Sequence, residues 1–501
     1  MSTRRELLRG GAAALAALAL PERATAQVRE QNLAELTLAQ AAELVKKRLL
    51  SPVDLTRACL ANIAAHDRTL NAFVTVTAES ALAEAKQAET EIRAGTWRGP
   101  LHGIPIALKD NIDTVGVRTT AGSALFADRV PSEDAEVVRR LKAAGAVFLG
   151  KLNLHEFAYG GTSAVSYFGS VHNPWILDRA AGGSSGGSAV AVACRMCFAA
   201  LGTDTGGSVR TPASFCGVVG LKTTYGRVSN RNVIPLVWSL DTVGPLCRTV
   251  EDAALVLQAI AGYDPLDTSS VDRPVPDYAT ALSGKVTGLR LGIPKDLFYD
   301  RLDPDVAAAV EAAIALLVRL GASTRSVHLP SVASLASVSP AGIYAYHKQY
   351  FTQTPGLYQI ATRSRLEGAS KIGGADYVNA RRTLERIRRE ILSIFQDVDL
   401  LVTPTTPRPP YTITESLRRD EAESLPPLLS NTGPFNVYGL PAISIPCGFT
   451  GDGLPIGLQI AGPPFGEPAV LTLAHAYQRA TSWHNRTPAM KATSPTRKAT
   501  E

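Results

Sequence analysis

Apolar residues follow two alternating spacings along this chain. Segments with apolar residues three and four apart read as helices buried on one face, and short apolar runs bounded by turn residues read as strands. Thr37 with Gln40 three residues on is a capping box and opens the first helix. Ser51-Pro52 opens a second, with proline at the first helical position. Residues 71–77 (NAFVTVT) form a strand pattern, 79–94 a polar-faced helix stopped by Gly95, and 103–109 an apolar strand ending in Lys109. A helix over 133–144 and a strand over 146–150 follow. Further on, Thr249 with Asp252 caps a helix, 262–284 reads as loop, and 289–293 is a strand. Asp303-Pro304 starts a helix reaching Leu320. Residues 376–396 read as a helix whose arginines form a solvated face. Strands at 399–403, 440–447 and 456–460 and a last helix at 467–480 complete the pattern. Strands alternating with helices define an α/β fold.

The stretch 182–213, GGSSGGSAVAVACRMCFAALGTDTGGSVRTPA, departs from this pattern. Two Gly/Ser loops, 182–188 and 203–208, bracket an apolar run, which predicts turn, buried helix, strand, turn, with both serine loops brought to one place. Glycine permits sharp turns and close approach of backbone to ligand. A flexible linker does not interleave with a buried apolar run, and no lysine follows in the pattern of a phosphate-binding loop. Gly183-Ser184-Ser185-Gly186-Gly187 fits G-x-S-x-G, which would make Ser185 a nucleophile, but that motif follows a strand and 173–181 reads as loop. Tight turns without chemistry are the remaining bland alternative.

Three motifs in order then resemble the amidase signature family: Gly103-Ile104-Pro105 through Lys109-Asp110, G-G-S-S-G-G-S from Gly182, and T-D-T-G-G-S-V-R-T-P-A from Thr203. The likeness extends from about residue 37 to about 485 and includes the glutamyl-tRNA amidotransferase A subunits. It implies one large mixed β-sheet sandwiched between helices, in a single domain over 27–501. It also implies a Ser-cisSer-Lys triad in which Ser208 is the nucleophile, Ser184, following a cis bond, the bridge, and Lys109 the base. Backbone N–H groups of Thr205, Gly206, Gly207 and Ser208 are implied as the oxyanion hole, with Ser185, Asp204 and Arg210 in support. No metal or cofactor is expected. On pattern alone Lys109 reads as a strand-end lysine paired with Asp110; the resemblance instead makes it the base, a role that burial suits because it disfavours the charged form.

The implied reaction is hydrolysis of a carboxylic amide C–N bond through a serine acyl-enzyme, with ester and carbamate hydrolysis as side activities. Expected partners are a small amide, ester or carbamate, for a monomer or homodimer without a membrane span. The alternative is the glutamine-hydrolysing A subunit of a tRNA-dependent amidotransferase. Against it stands Leu429, which falls where those subunits place an acidic residue that grips glutamine, ahead of Asn436 to Pro441. A Ser-His-Asp hydrolase is the mechanistic rival, with His475 and His484 in the right order for Ser185 but in no motif.

Charge and termini add three expectations. A net charge of +6 spread over 51 basic and 45 acidic residues is too diffuse for a nucleic-acid groove. Arg4-Arg5, the apolar run 10–20 and Ala24-Thr25-Ala26 read as a twin-arginine export signal over 1–26, hence a periplasmic protein. The six cysteines, including Cys194 and Cys197 in a C-x-x-C, read as buried structural thiols.

Overall fold

The computed structural model describes residues 33–332, 338–422 and 431–489; the export segment and Leu429 lie outside them. Eleven strands form one mixed sheet: β1 (Phe73–Val76), β2 (Pro105–Lys109), β3 (Val147–Leu152), β4 (Ala199–Asp204), β5 (Val219–Lys222), β6 (Thr242–Cys247), β7 (Arg290–Ile293), β8 (Ser323–Ser326), β9 (Leu400–Pro404), β10 (Ala442–Phe449) and β11 (Pro455–Ala461). Their order is β1-β3-β2-β4-β6-β5-β10-β11-β9-β7-β8. The α/β sheet flanked by helices is the fold class expected from the motifs. Strands β2, β3, β4 and β6 are buried at every residue, as strands covered on both faces must be. At one edge β8 (STRS) is wholly exposed, and its polar residues leave nothing apolar for another chain to pair with.

Sheet pairing creates the site. Strands β2 and β4 run parallel, with Leu108 beside Leu201, so Lys109 and Thr203 emerge at the same end. Antiparallel β6 pairs Thr242 with Asp204, which brings Asp241 to that end as well. Open α/β sheets bind ligands at such carboxyl ends.

The helix starts form as their caps predict. Thr37 and Gln40 make both bonds of the capping box, Ser51 caps Pro52–Leu70, and Asp303 caps Pro304–Arg319. Two readings change. The helix predicted over 376–396 ends at Glu390 and continues as a 3₁₀ turn and a short helix. Its arginines do not all face solvent, since Arg388 donates to the carbonyls of Val437 and Ser239 and lies 4.6 Å over the Tyr225 ring. The 262–284 stretch also contains a short helix, Tyr278–Ala281. All six cysteines are buried and free, as read from their apolar setting.

Between the two serine loops lies the helix Gly186–Ala193, buried at every residue. Gly187 has no alternative there, because a Cβ would sit 2.4 Å from the Ala72 carbonyl oxygen and 2.5 Å from that of Asn153. The glycine-rich pattern is thus a packing requirement that sinks the helix into the sheet.

Candidate active site

Lys109 ends β2 with its side chain wholly buried. Its Nζ donates to Ser184 Oγ at 2.7 Å and to Thr203 Oγ1 at 2.8 Å. Burial pulls the lysine down from 10.5 to about 7, against the opposing pull of the Asp204 and Asp241 carboxylates. Near neutrality this amine is therefore available as a base. Ser184 follows a cis Gly183-Ser184 bond, as the motif implied.

The two serine loops are stitched together through Ser185. Its N–H donates to the Ser208 carbonyl at 3.1 Å, and its hydroxyl to the Thr203 carbonyl at 3.2 Å. Ser208 is 8% exposed, whereas Lys109 and Ser184 are fully enclosed, so Ser208 is the most accessible of the three.

Asp204 and Arg210 form a buried clip beneath the second loop. Arg210 donates to both Asp204 carboxylate oxygens, to Asn436 Oδ1 at 2.7 Å, to Gln459 Oε1 at 2.6 Å and to the Thr432 carbonyl at 2.9 Å. Burial alone would raise the Asp204 carboxyl, but Arg210 beside it holds it well below the usual carboxylate range.

Of the four N–H groups implied for the oxyanion hole, one is already engaged. Gly207 N–H donates to Asp204 Oδ1 at 2.9 Å. Those of Thr205, Gly206 and Ser208 donate to no acceptor among the described residues. Gly206 also faces open space, while a Cβ on Gly207 would lie 2.0 Å from Thr432 Oγ1. The geometry thus removes Gly207 from the implied donor set and gives it a structural task.

The Ser-His-Asp rival does not assemble. Ser185 precedes a helix without a strand before it, and its hydroxyl faces the Thr203 carbonyl rather than an imidazole. His475 bonds the Leu282 carbonyl. His155, whose backbone N–H donates to the Ser184 carbonyl, turns its Nδ1 to Thr162 Oγ1, which donates to Asp420.

Several partners escaped the sequence reading. Thr203 sits inside a recognised motif, yet its bond to Lys109 depends on the pairing of β2 with β4. Asp241 accepts from Thr205 Oγ1 at 2.6 Å across 36 residues. Gln459 carries no motif signal at all. Among the described residues, no group of His, Cys, Asp and Glu could hold a metal ion, and no helix is long and apolar enough to cross a membrane.

The amidase family profile matches residues 54–471, and the chain belongs to that family of enzymes cleaving carbon–nitrogen bonds. Among curated relatives, the glutamyl-tRNA(Gln) amidotransferase A subunit of Geobacter sp. (strain M21) is 45% identical over 480 residues, covering 90% of this chain and 98% of its own. Among solved structures, the native peptide amidase of Stenotrophomonas maltophilia is 34% identical with a TM-score of 0.77, over 89% of this chain and 96% of its own. An inhibitor-bound complex described in connection with the origins of an s-triazine catabolic enzyme superposes with a TM-score of 0.83 at 33% identity, over 89% of this chain and 98% of its own.

Proposed function

We propose that this protein hydrolyses a carboxamide through an acyl-enzyme on Ser208. Neutral Lys109 draws the Ser208 proton through the Ser184 hydroxyl as Ser208 attacks the amide carbon. The oxyanion forms against the N–H groups of Thr205, Gly206 and Ser208, donors of a kind each worth roughly 3 kcal/mol of barrier. Lys109 returns the proton through Ser184 to the leaving nitrogen, and the C–N bond breaks. Water then attacks the ester by the same relay, releasing the acid and restoring Ser208. The observation that carries this reading is the 2.7 Å bond from a fully buried lysine to Ser184. The test is fluorophosphonate labelling followed by peptide mapping. Labelling confined to Ser208 supports the reading, and labelling of Ser185 overturns it.

Two readings of the amide remain in play. The A-subunit relatives, matched over nearly their whole length, favour glutamine as the amide, in an amidotransferase-type assembly. Arg4-Arg5 and Leu429 favour an exported hydrolase of free amides, with esters and carbamates as side substrates. Turnover of glutamine separates them when compared with acyl anilides, primary amides, esters and carbamates. Fractionation of cells expressing the native chain and an Arg4→Lys/Arg5→Lys variant tests export. Glutaminase activity with uncleaved, cytoplasmic protein supports the first reading. Anilide or peptide-amide activity with Arg-dependent export supports the second.

A further inference from the structure

Asp241 stands at the carboxyl end of the sheet, where the register that pairs Asp204 with Thr242 sets it beside Thr205. It is 8% exposed, and donors converge on both of its carboxylate oxygens. Oδ1 accepts from Thr205 Oγ1 at 2.6 Å and from the Val237 N–H at 3.0 Å. Oδ2 accepts from the Leu236 N–H at 2.9 Å and from the Val237 N–H at 3.0 Å. The two N–H groups alone would account for a carboxylate that closes the 236–241 loop. The bond from Thr205 is additional, and it joins that loop to the serine loop across 36 residues.

Thr205 carries the first donor of the proposed oxyanion hole, and its direction is fixed from two sides. The Asp204 carbonyl shares a peptide plane with the Thr205 N–H. That carbonyl accepts from Thr242 Oγ1 at 3.0 Å and from Asn436 Nδ2 at 3.0 Å. In a trans peptide the C=O and N–H point opposite ways, so the Thr205 N–H is aimed away from Thr242 and Asn436. It donates to no acceptor among the described residues. On the other side of this N–H the fixed point is the Thr205 side chain, held by Asp241. Gly206, the next donor, has no side chain to anchor it. The Thr205 hydroxyl is thus the last side-chain tie before the Gly206-Gly207 turn.

We propose that Asp241 is a positioning residue for hydrolysis: by holding Thr205 Oγ1 it keeps the Thr205 N–H directed at the oxyanion. The proposal rests on the hydrolase reading above. Asp241 exchanges no proton or bond with the substrate and acts through Thr205.

The test compares Thr205→Val, Thr205→Ser, Asp241→Asn and the Thr205→Val/Asp241→Asn double variant of the full-length protein, on the amide that the native protein turns over best. Thermal unfolding checks each fold. Thr205→Val leaves the Leu236 and Val237 bonds to Asp241 in place, so the 236–241 loop stays closed. It should lower kcat about tenfold to a hundredfold, the scale of a misplaced rather than a missing oxyanion donor. KM should change little, because the interaction is made in the transition state. Thr205→Ser, which keeps the hydroxyl, should restore most of the rate. Asp241→Asn should lose kcat likewise, and the double variant should lose no more than the larger single loss. Native kcat in Thr205→Val, a rise confined to KM, a loss that Thr205→Ser does not restore, or additive losses in the double variant overturns the proposal. Should Asp241→Asn fail to fold, the two Thr205 variants decide alone, because Asp241 is the partner of that hydroxyl. Fluorophosphonate labelling keeps the two readings apart. Native protein unlabelled at Ser208 removes the hydrolase reading and this proposal with it, whereas labelled, active native protein and an unaffected Thr205→Val remove this proposal alone.

Discussion

Asp204 and Arg210 face each other as an ion pair with both side chains wholly buried, six residues apart in sequence and on opposite sides of the Gly206-Gly207 turn. The carboxylate also accepts from the Gly207 and Val209 N–H groups, while the guanidinium reaches Thr432, Asn436 and Gln459. One pair therefore shapes the loop that carries Ser208 and ties it to a short helix (Gly433–Val437) and to β11 from the far end of the chain. Removing one member leaves an uncompensated buried charge, which costs about 3–5 kcal/mol. Arg210→Ala should lower stability by that order in urea unfolding. Arg210→Lys should recover little of it, since an ammonium cannot span the same fork of acceptors. Native stability of Arg210→Ala would show that the clip does not hold the loop.

As the proposed base, Lys109 should set the pH dependence. Its pKa falls from 10.5 to about 7 on burial, so the neutral base is depleted below about 7 and predominates above it. The free-enzyme kcat/KM should therefore rise with pH through about 7 and level off above, with one basic limb from this group. Lys109→Met and Lys109→Ala should lose the limb and most anilide turnover. Activity on a matched nitrophenyl ester should suffer less, because its leaving group needs no proton. A limb unchanged in Lys109→Met would place the base elsewhere.

Ser185 and Ser208 should separate cleanly. Ser208→Ala is expected to abolish hydrolysis and fluorophosphonate labelling without unfolding the protein. Ser185→Ala gives up one hydroxyl bond to the Thr203 carbonyl. A net loss of about 1 kcal/mol of stability and continued labelling at Ser208 should follow.

The paired glycines of the second loop should also differ. Gly207 has φ +125° and its Cβ would strike Thr432, whereas Gly206 has open space around its Cβ position. Gly207→Ala should destabilise by about 1–3 kcal/mol, the scale of local backbone strain. Gly206→Ala should fold with stability within about 0.5 kcal/mol of native, and any loss should appear in kcat. Thermal unfolding alongside ester turnover checks both. Equal melting temperatures for the two variants would contradict the geometry.

Much of this protein was written locally. The Thr37, Ser51 and Asp303 caps, the lysine ending an apolar strand and the buried helix after a Gly/Ser loop all depend on residues a few positions apart. Such short-range physics survives in sequence, so the α/β class was legible there, while Lys109, Ser184 and Ser208 were singled out by the resemblance of their motifs to the amidase signature family. Strands β5, β6 and β8 were not, because each depends on a neighbour for its pairing rather than on its own pattern; β8, wholly exposed, has no apolar alternation to read. The supporting chemistry was equally hidden. Thr203 meets Lys109 across 94 residues, Asp241 meets Thr205 across 36, and Gln459 meets Arg210 across 249. The sequence by itself carried the motifs that single out Lys109, Ser184 and Ser208 and the apolar strand that buries the lysine. Only the tertiary structure decided that the Gly207 N–H is spent on the Asp204 carboxylate and that this carboxylate is spent in turn on Arg210. Those outcomes depend on strand order and register, which bring together residues that have no pattern in common along the chain.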